Sequence, residues 1–232
     1  MKKKGLIKSL NKFKKANGKN GGMKPKARYS SFDYCFNYFQ GFKNKKEIAS
    51  VKNIEKSSLH LGFYLASWGM LRGSSFLLEK SIAYLKDLII FISNFDKRIW
   101  NIDLEYSEED IEILLKFKRE LIKMFASKNN KFSDTLITKI MLGVFGNVPA
   151  YDNYFKIFLN DNGFDKTFNK KSLIQINNFY KENRELIYRQ ARNTKTFDFL
   201  SSKKSNLQYT RAKIIDMIGF SYGLNKPKIN LK

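Results

Sequence analysis

The sequence predicts an all-α protein, made of a single compact domain of about seven or eight helices with a flexible basic arm at its N-terminus. Apolar residues recur at three- and four-residue steps in most segments, and no segment shows the alternation typical of a strand. Helix-capping Ser and Asp residues precede several of these segments, and Gly follows them. With 232 residues and 43% hydrophobic content, the chain can bury one core. We expect the arm over residues 1–28 and the helical domain over 29–232.

The arm is predicted from charge and from helix-breaking residues. Residues 1–28 hold eleven Lys or Arg and no acidic residue, and Gly18, Gly21, Gly22 and Pro25 interrupt any helix. An arm of this kind can neutralise phosphates without a fold of its own. A solubilising tail, or upstream sequence displaced by gene rearrangement, would have the same composition.

The first half of the domain is predicted to contain three helices. An aromatic segment, 29–40, is predicted to be helical because Gly41 ends it and no partner strand follows. A helix capped by Ser57 or Ser58 runs to about 71, and a further helix covers 76–92. The residues between them would form a tight turn, so these two helices should be antiparallel.

The second half is predicted to contain five helices, each with a capping residue or a clear apolar face. Ser107 is followed by three carboxylates, which suit a first helical turn. The expected helices run from Ser107 to about 126, from Ser133 or Asp134 to about 143–146, from Asp152 to 162, from Ser172 to beyond Ile187, and over 207–220.

The charge of the chain indicates a polyanionic partner, with nucleic acid as the leading candidate. The sequence has 44 Lys and Arg against 21 Asp and Glu, a net charge of +23. An A·T-rich genome could also supply many of the lysines. Candidate phosphate-binding residues lie in the arm, at the turn after the second helix and on the last helices: Lys2, Lys3, Lys4, Lys14, Lys15, Arg28, Arg72, Arg184, Arg189, Arg192, Arg211 and Lys213.

Several classes of protein are disfavoured. A single Cys35 and a single His60 provide no set of metal ligands, so neither a metal nor another cofactor is expected. The most apolar run, 85–95, is interrupted by Lys86 and Asp87 and is too short for a membrane span. No secretory segment is evident, and we expect a cytoplasmic protein.

The segment 138–155 contains the candidate catalytic residue, Asp152. An apolar helix ends there in a loop with Gly146 and Pro149, and the loop places Asp152 at the start of the next helix. A carboxylate in that position can act as a plain N-cap or as a catalytic group.

This order of helix, Gly/Pro loop and Asp resembles the helix-hairpin-helix DNA glycosylase superfamily over about twenty residues. The resemblance implies that Asp152 stabilises the positively charged sugar formed as the base leaves. The family's hairpin has a Gly-x-Gly turn, whereas the residues here are Asn130-Lys131-Phe132-Ser133-Asp134. Lys139 lies inside the helix, so the resemblance gives it no role.

A second stretch, 59–78, together with the Pro149 loop, resembles an uncharacterised family of bacterial helical proteins, and this resemblance implies no function.

Three hypotheses follow from the sequence. The preferred one is a nucleic-acid-binding protein held by phosphate contacts. The alternatives are a glycosylase-like enzyme that uses Asp152 and a protein-interaction module in a bacterial defence or toxin-neutralising setting.

Overall fold

A computed structural model describes residues 3–15, 22–73, 75–126 and 132–227, and these residues are mostly helical. They contain ten α-helices and one two-stranded antiparallel sheet, so the all-α prediction is broadly confirmed and the predicted number of helices is slightly low. The helices are α1 (Lys3–Lys15), α2 (Ser31–Gln40), α3 (Ile54–Ser67), α4 (Lys86–Asn94), α5 (Glu108–Ala126), α6 (Asp134–Phe145), α7 (Asn153–Asp161), α8 (Lys170–Glu182), α9 (Arg184–Asn193) and α10 (Arg211–Leu224).

The first helix differs from the flexible arm that the sequence suggested. Helix α1 packs along α10 and buries Leu6, Leu10 and Phe13 in the hydrophobic core. These residues are spaced three or four apart, so one face of the helix is apolar while its lysines lie on the other. This short amphipathic pattern was not recognised from the sequence because the segment is rich in lysine. Part of the predicted arm, residues 1, 2 and 16–21, lies outside the described residues.

Two long helices predicted from the sequence are interrupted. The segment expected as one helix over 76–92 forms two short 3-10 turns, Phe76–Glu79 and Ile82–Leu85, before α4 begins. Gly62 of α3 allows this segment to approach closely, since a Cβ there would lie 2.3 Å from Cδ1 of Ile82. The helix expected from Ser172 is divided at Asn183, which ends α8 and precedes α9.

A β-hairpin precedes α10 and overlaps the start of the segment predicted as the last helix, 207–220. Strand β1 (Lys195–Phe197) pairs with β2 (Lys204–Gln208), with Lys195 opposite Gln208 and Phe197 opposite Lys204. Asp33 of α2 fixes the hairpin, because its carboxylate accepts hydrogen bonds from the Phe197 backbone N–H at 2.8 Å and the Tyr209 hydroxyl at 2.5 Å. Helix α10 then begins with Thr210 as its N-cap.

The centre of the core is formed by α6, α10 and the loop that joins α6 to α7. Every residue from Leu136 to Tyr151 is buried. Helix α10 contacts α1, α7 and α9, and α6 contacts α2 and α3. The loop with Pro149 therefore lies deep within the packed helices. Among the described residues, no helix has both the length and the apolar content needed to cross a membrane.

Candidate functional site

The loop between α6 and α7 holds Asp152 in a defined position. Gly146 ends α6 in the left-handed conformation, with φ of +71°, and its carbonyl accepts a hydrogen bond from the Thr210 hydroxyl. Asp152 then caps α7, because its Oδ1 accepts the backbone N–H groups of Tyr154 and Phe155 at 3.1 and 3.0 Å. The capping role considered from the sequence is thus present.

A lysine shares this carboxylate with the helix N-terminus. The Nζ of Lys139, on α6, lies 3.1 Å from Oδ2 of Asp152. The Lys139 side chain is 3% exposed and that of Asp152 is 14% exposed. An ammonium group with so little exposure to solvent is stabilised by its carboxylate partner. Asp152 therefore stabilises Lys139 in addition to capping α7.

A second Lys–Asp pair lies on α10 and fixes the same loop. The Nζ of Lys213 is 2.7 Å from Oδ2 of Asp216, and both side chains are buried. The other Asp216 oxygen accepts the backbone N–H of Ala150 at 3.0 Å. The loop therefore contacts two ion pairs, one that includes Lys139 of α6 and one on α10.

Trp68, just after α3, lies beside both ammonium groups. The Nζ atoms of Lys139 and Lys213 are 5.0 and 5.3 Å from the centre of its ring, distances that suit a cation–π contact. The indole N–H is buried and has no hydrogen-bond partner among the described residues. We refer to Lys139, Asp152, Lys213, Asp216 and Trp68 as the paired-charge site.

Aromatic rings connect this site to the surface on two sides. Tyr29 stacks on Trp68 with ring centres 5.3 Å apart, and Phe220 contacts Trp68, Tyr29 and Tyr154 edge to face. Burial raises the pKa of Tyr29 to about 12, so its hydroxyl stays protonated at neutral pH. The exposed Arg28 also lies beside Trp68, with its guanidinium carbon 5.4 Å from the ring centre.

A groove lies between α7 and the end of α10. It has a volume of about 770 Å³, and its lining includes Asn153, Tyr154, Lys166 and Lys226. A smaller hollow of about 290 Å³ adjoins it across Lys226 and is lined by Lys8 and Lys12 of α1. The first turn of α7, which Asp152 caps, therefore contributes to a lysine-lined surface, whereas Asp152 itself is not among the residues that line the groove.

Three of the cations predicted to bind phosphate are paired with carboxylates of this chain, and two of them, Lys213 and Arg211, are largely covered, whereas Arg184 is exposed. Lys213 is buried in the paired-charge site. Arg211 pairs with Asp103 at 3.0 Å and Glu105 at 2.7 Å, and Arg184 pairs with Glu105 at 2.8 Å. Burial acts to lower the pKa of Arg211, but the charge of Asp103 together with hydrogen bonds to Asp103 and Tyr180 raises it overall. Lys213 and Arg211 thus hold the fold together rather than face solvent.

The other predicted cations are distributed over several surfaces. Lys14 is half-buried and donates to the side chains of Gln190 and Thr194, and burial lowers its pKa. Lys2 lies outside the described residues. The exposed members are Lys3, Lys4, Lys15, Arg28, Arg72, Arg189 and Arg192. The structure therefore does not unite the predicted cations in one patch.

Sequence reasoning missed most of the paired-charge site. Lys139 had no assigned role, Asp216 and Trp68 were not singled out, and Lys213 was expected at the surface. The available signal was an isolated charge within a mostly apolar helical run, namely Lys139 in 136–145 and Lys213 with Asp216 in 212–220. Such a charge is buried only when it has a partner, and the partner here comes from the next turn or from across a loop.

No protein-family model, no curated protein and no solved structure matches this chain.

Proposed function

We propose that this protein binds nucleic acid, mainly through phosphate contacts, along the surface formed by α1 and the groove between α7 and α10. The observation that carries the proposal is the convergence of lysines without carboxylate partners on two adjoining concavities. Lys8 and Lys12 line one, and Lys156 and Lys166 line the other. None of these four has a carboxylate within 4.0 Å among the described residues.

Lysines in such an arrangement are suited to a backbone of regularly spaced phosphates. Each ammonium that replaces a condensed counterion contributes to affinity without reading the sequence. Lys226, which borders both concavities, is paired with Asp161 at 2.5 Å and is held at their junction. The net charge of +23 adds long-range attraction to this local surface.

The proposal is tested by the salt dependence of binding to duplex and single-stranded DNA and RNA. Lys8→Gln/Lys12→Gln and Lys156→Gln/Lys166→Gln should each weaken binding and reduce the slope of log affinity against log salt by about 1.8 for duplex DNA, roughly 0.9 for each phosphate that is no longer neutralised. Lys46→Gln/Lys52→Gln removes the same charge from exposed positions elsewhere. Equal effects of all three double variants, or flat and weak binding by the unaltered protein, would contradict the proposal.

A second candidate function is base release from DNA, with Asp152 in the working position. The observation that favours it is a partly exposed carboxylate at the N-terminus of α7, the helix that forms one wall of the lysine-lined groove, and two backbone N–H groups and Lys139 fix this carboxylate. Together with the resemblance of residues 138–155, this position suits stabilisation of a cationic sugar. In that reaction the bond between C1′ and the base nitrogen breaks, the base leaves with the electron pair and gains a proton, and water adds to C1′.

Base release is tested on a panel of damaged and mismatched duplexes. Asp152→Asn should abolish release while affinity for the same duplexes persists, with folding checked by circular dichroism. The variant Asp161→Asn removes the carboxylate that lines the groove and should leave release intact. The enzymatic candidate fails if the unaltered protein processes no substrate in the panel.

A further inference from the structure

A further concave surface, which shares no lining residue with the lysine-lined groove, includes Arg28. It is a cleft of about 560 Å³ between residues 25–34, the end of α3 and the turn of the hairpin. We refer to it as the aromatic cleft. Its principal side chains are Lys26, Arg28, Tyr34, Phe63 and Phe199.

The aromatic rings of the cleft are unusually open to solvent. Phe63 is 69% exposed and Phe199 is 70% exposed. Tyr34 meets Phe199 edge to face at 5.4 Å and donates its hydroxyl hydrogen to the Pro25 carbonyl, which fixes the orientation of its ring. Large apolar side chains grouped in this way at a concave surface are typical of a binding site.

The charges at the cleft favour an anionic ligand. None of the residues that line it is acidic, and two are cations. Arg28 is held by a hydrogen bond of 2.6 Å from its Nε to the Ser67 carbonyl, and it has no carboxylate within 4.0 Å among the described residues. Its terminal nitrogens are therefore available to an anion beside the rings.

We infer that the aromatic cleft binds unpaired nucleotides, with a base stacked on Phe63 or Phe199 and its phosphate at Arg28 and Lys26. The inference rests on the proposed nucleic-acid function and specifies the form of nucleic acid. A base can reach these rings only when it is not stacked inside a duplex. The cleft should therefore give the protein a preference for single strands or loops.

The inference is tested by comparing single-stranded oligonucleotides with blunt-ended, loop-free duplexes of the same length, as DNA and as RNA, across a salt series. Phe63→Ala and Phe199→Ala should each weaken single-strand affinity about fivefold or more, in line with the measured contribution of base stacking. Their affinity for the duplex and the salt slope should stay unchanged, because both variants keep every cation. Ile122→Ala, which removes an exposed apolar side chain on α5, should change neither.

A spectroscopic readout reports stacking directly. Oligonucleotides that carry 2-aminopurine should lose fluorescence on binding the unaltered protein and lose less on binding Phe63→Ala or Phe199→Ala. Arg28→Gln should lower both the affinity for single strands and the salt slope. Both phenylalanines are exposed, so these variants should fold, and thermal unfolding checks this.

The possible failures are distinguishable. If the unaltered protein binds nucleic acid but the two phenylalanine variants match it on single strands, the cleft inference is overturned and the proposed function stands. If the unaltered protein binds no nucleic acid at any salt concentration, both are overturned. A protein partner that competes for the cleft, without any effect of the phenylalanine variants on oligonucleotide binding, also counts against the inference.

Discussion

At the scale of single residues, the two Lys–Asp pairs of the paired-charge site are expected to affect the stability of this protein. A buried ion pair contributes little net stability when it is compared with apolar side chains of the same volume. Loss of only one member is costly, because the remaining charge is left in the interior without a partner. Asp152 and Lys139 allow this reasoning to be tested, since Asn is almost as good an N-cap as Asp.

Asp152→Asn should lower the free energy of unfolding by about 3 kcal/mol, because it leaves the Lys139 ammonium buried without its carboxylate. If Asp152 served only as a cap, the same change would be nearly silent. The double variant Asp152→Asn/Lys139→Met should be more stable than Asp152→Asn alone. Urea denaturation of both variants and of Lys139→Met completes the cycle, and additive effects would show that the pair is not coupled.

Asp33 should make stability depend on pH. Burial raises the pKa of its carboxyl to about 6, although hydrogen bonds from Tyr209 and Phe197 act against this. Since the folded pKa lies above the unfolded value of 3.8, the contribution of Asp33 is complete below about pH 4 and is lost as the pH rises through 6. The shift corresponds to about 3 kcal/mol.

Asp33→Asn should therefore reduce the decline in stability between about pH 4 and pH 7, measured by urea denaturation at a series of pH values. Asp198→Asn, in the neighbouring hairpin, provides a control of opposite sign. Hydrogen bonds from Ser201 lower the pKa of Asp198, so its contribution is present at neutral pH and is lost in acid. Identical pH profiles for Asp33→Asn and the unaltered protein would contradict the assignment.

At the scale of elements, close contacts at glycines position the helices around the candidate site. A Cβ at Gly143 would lie 2.4 Å from the Tyr64 ring, and one at Gly223 would lie 2.1 Å from the Tyr154 carbonyl oxygen. These glycines let α6 approach α3 and let α10 approach α7. Gly223 and Tyr154 both line the groove, so this close contact between α7 and α10 forms part of its wall.

Gly146→Ala should destabilise the protein by about 3 kcal/mol or more, because it combines a left-handed backbone with a steric conflict. A Cβ there would lie 2.7 Å from the Phe36 ring and 2.8 Å from the Thr210 methyl group. Gly163→Ala is a matched control with the same φ of +71° and open space around the Cβ. Gly163→Ala should lower the free energy of unfolding by only about 1 kcal/mol, measured by thermal unfolding. Equal losses for the two variants would show that the steric conflict at Gly146 does not contribute.

At the scale of the whole molecule, the basic N-terminus is both a charged surface and part of the core. Helix α1 contributes Leu6, Leu10 and Phe13 to the interior and presents Lys3, Lys4, Lys8, Lys12 and Lys15 outward. A truncation would therefore remove charge and core together. Charge substitutions separate the two effects.

Deletion of residues 1–15 should lower the free energy of unfolding by about 5 kcal/mol, since three buried apolar side chains are removed. Replacement of Lys3, Lys4, Lys8 and Lys12 by Gln should leave stability within about 1 kcal/mol, because these side chains are exposed. Differential scanning calorimetry measures both. A flexible arm would give the opposite result, with no loss of stability on deletion.

The sequence by itself determined the helical class, a cap at Ser133 or Asp134, the cap at Asp152 and the loop in which the site lies. These depend on local rules, namely the spacing of apolar residues and the preference of particular side chains for helix ends. Only the tertiary structure decided which charges are internal. The apolar runs around Lys139 and Lys213 indicate that these charges are unusual, but their burial, like that of Arg211, depends on the partners Asp152, Asp216 and Asp103. The Asp103–Arg211 contact joins residues 108 positions apart, and such pairings follow from the packing of helices rather than from any segment of the chain.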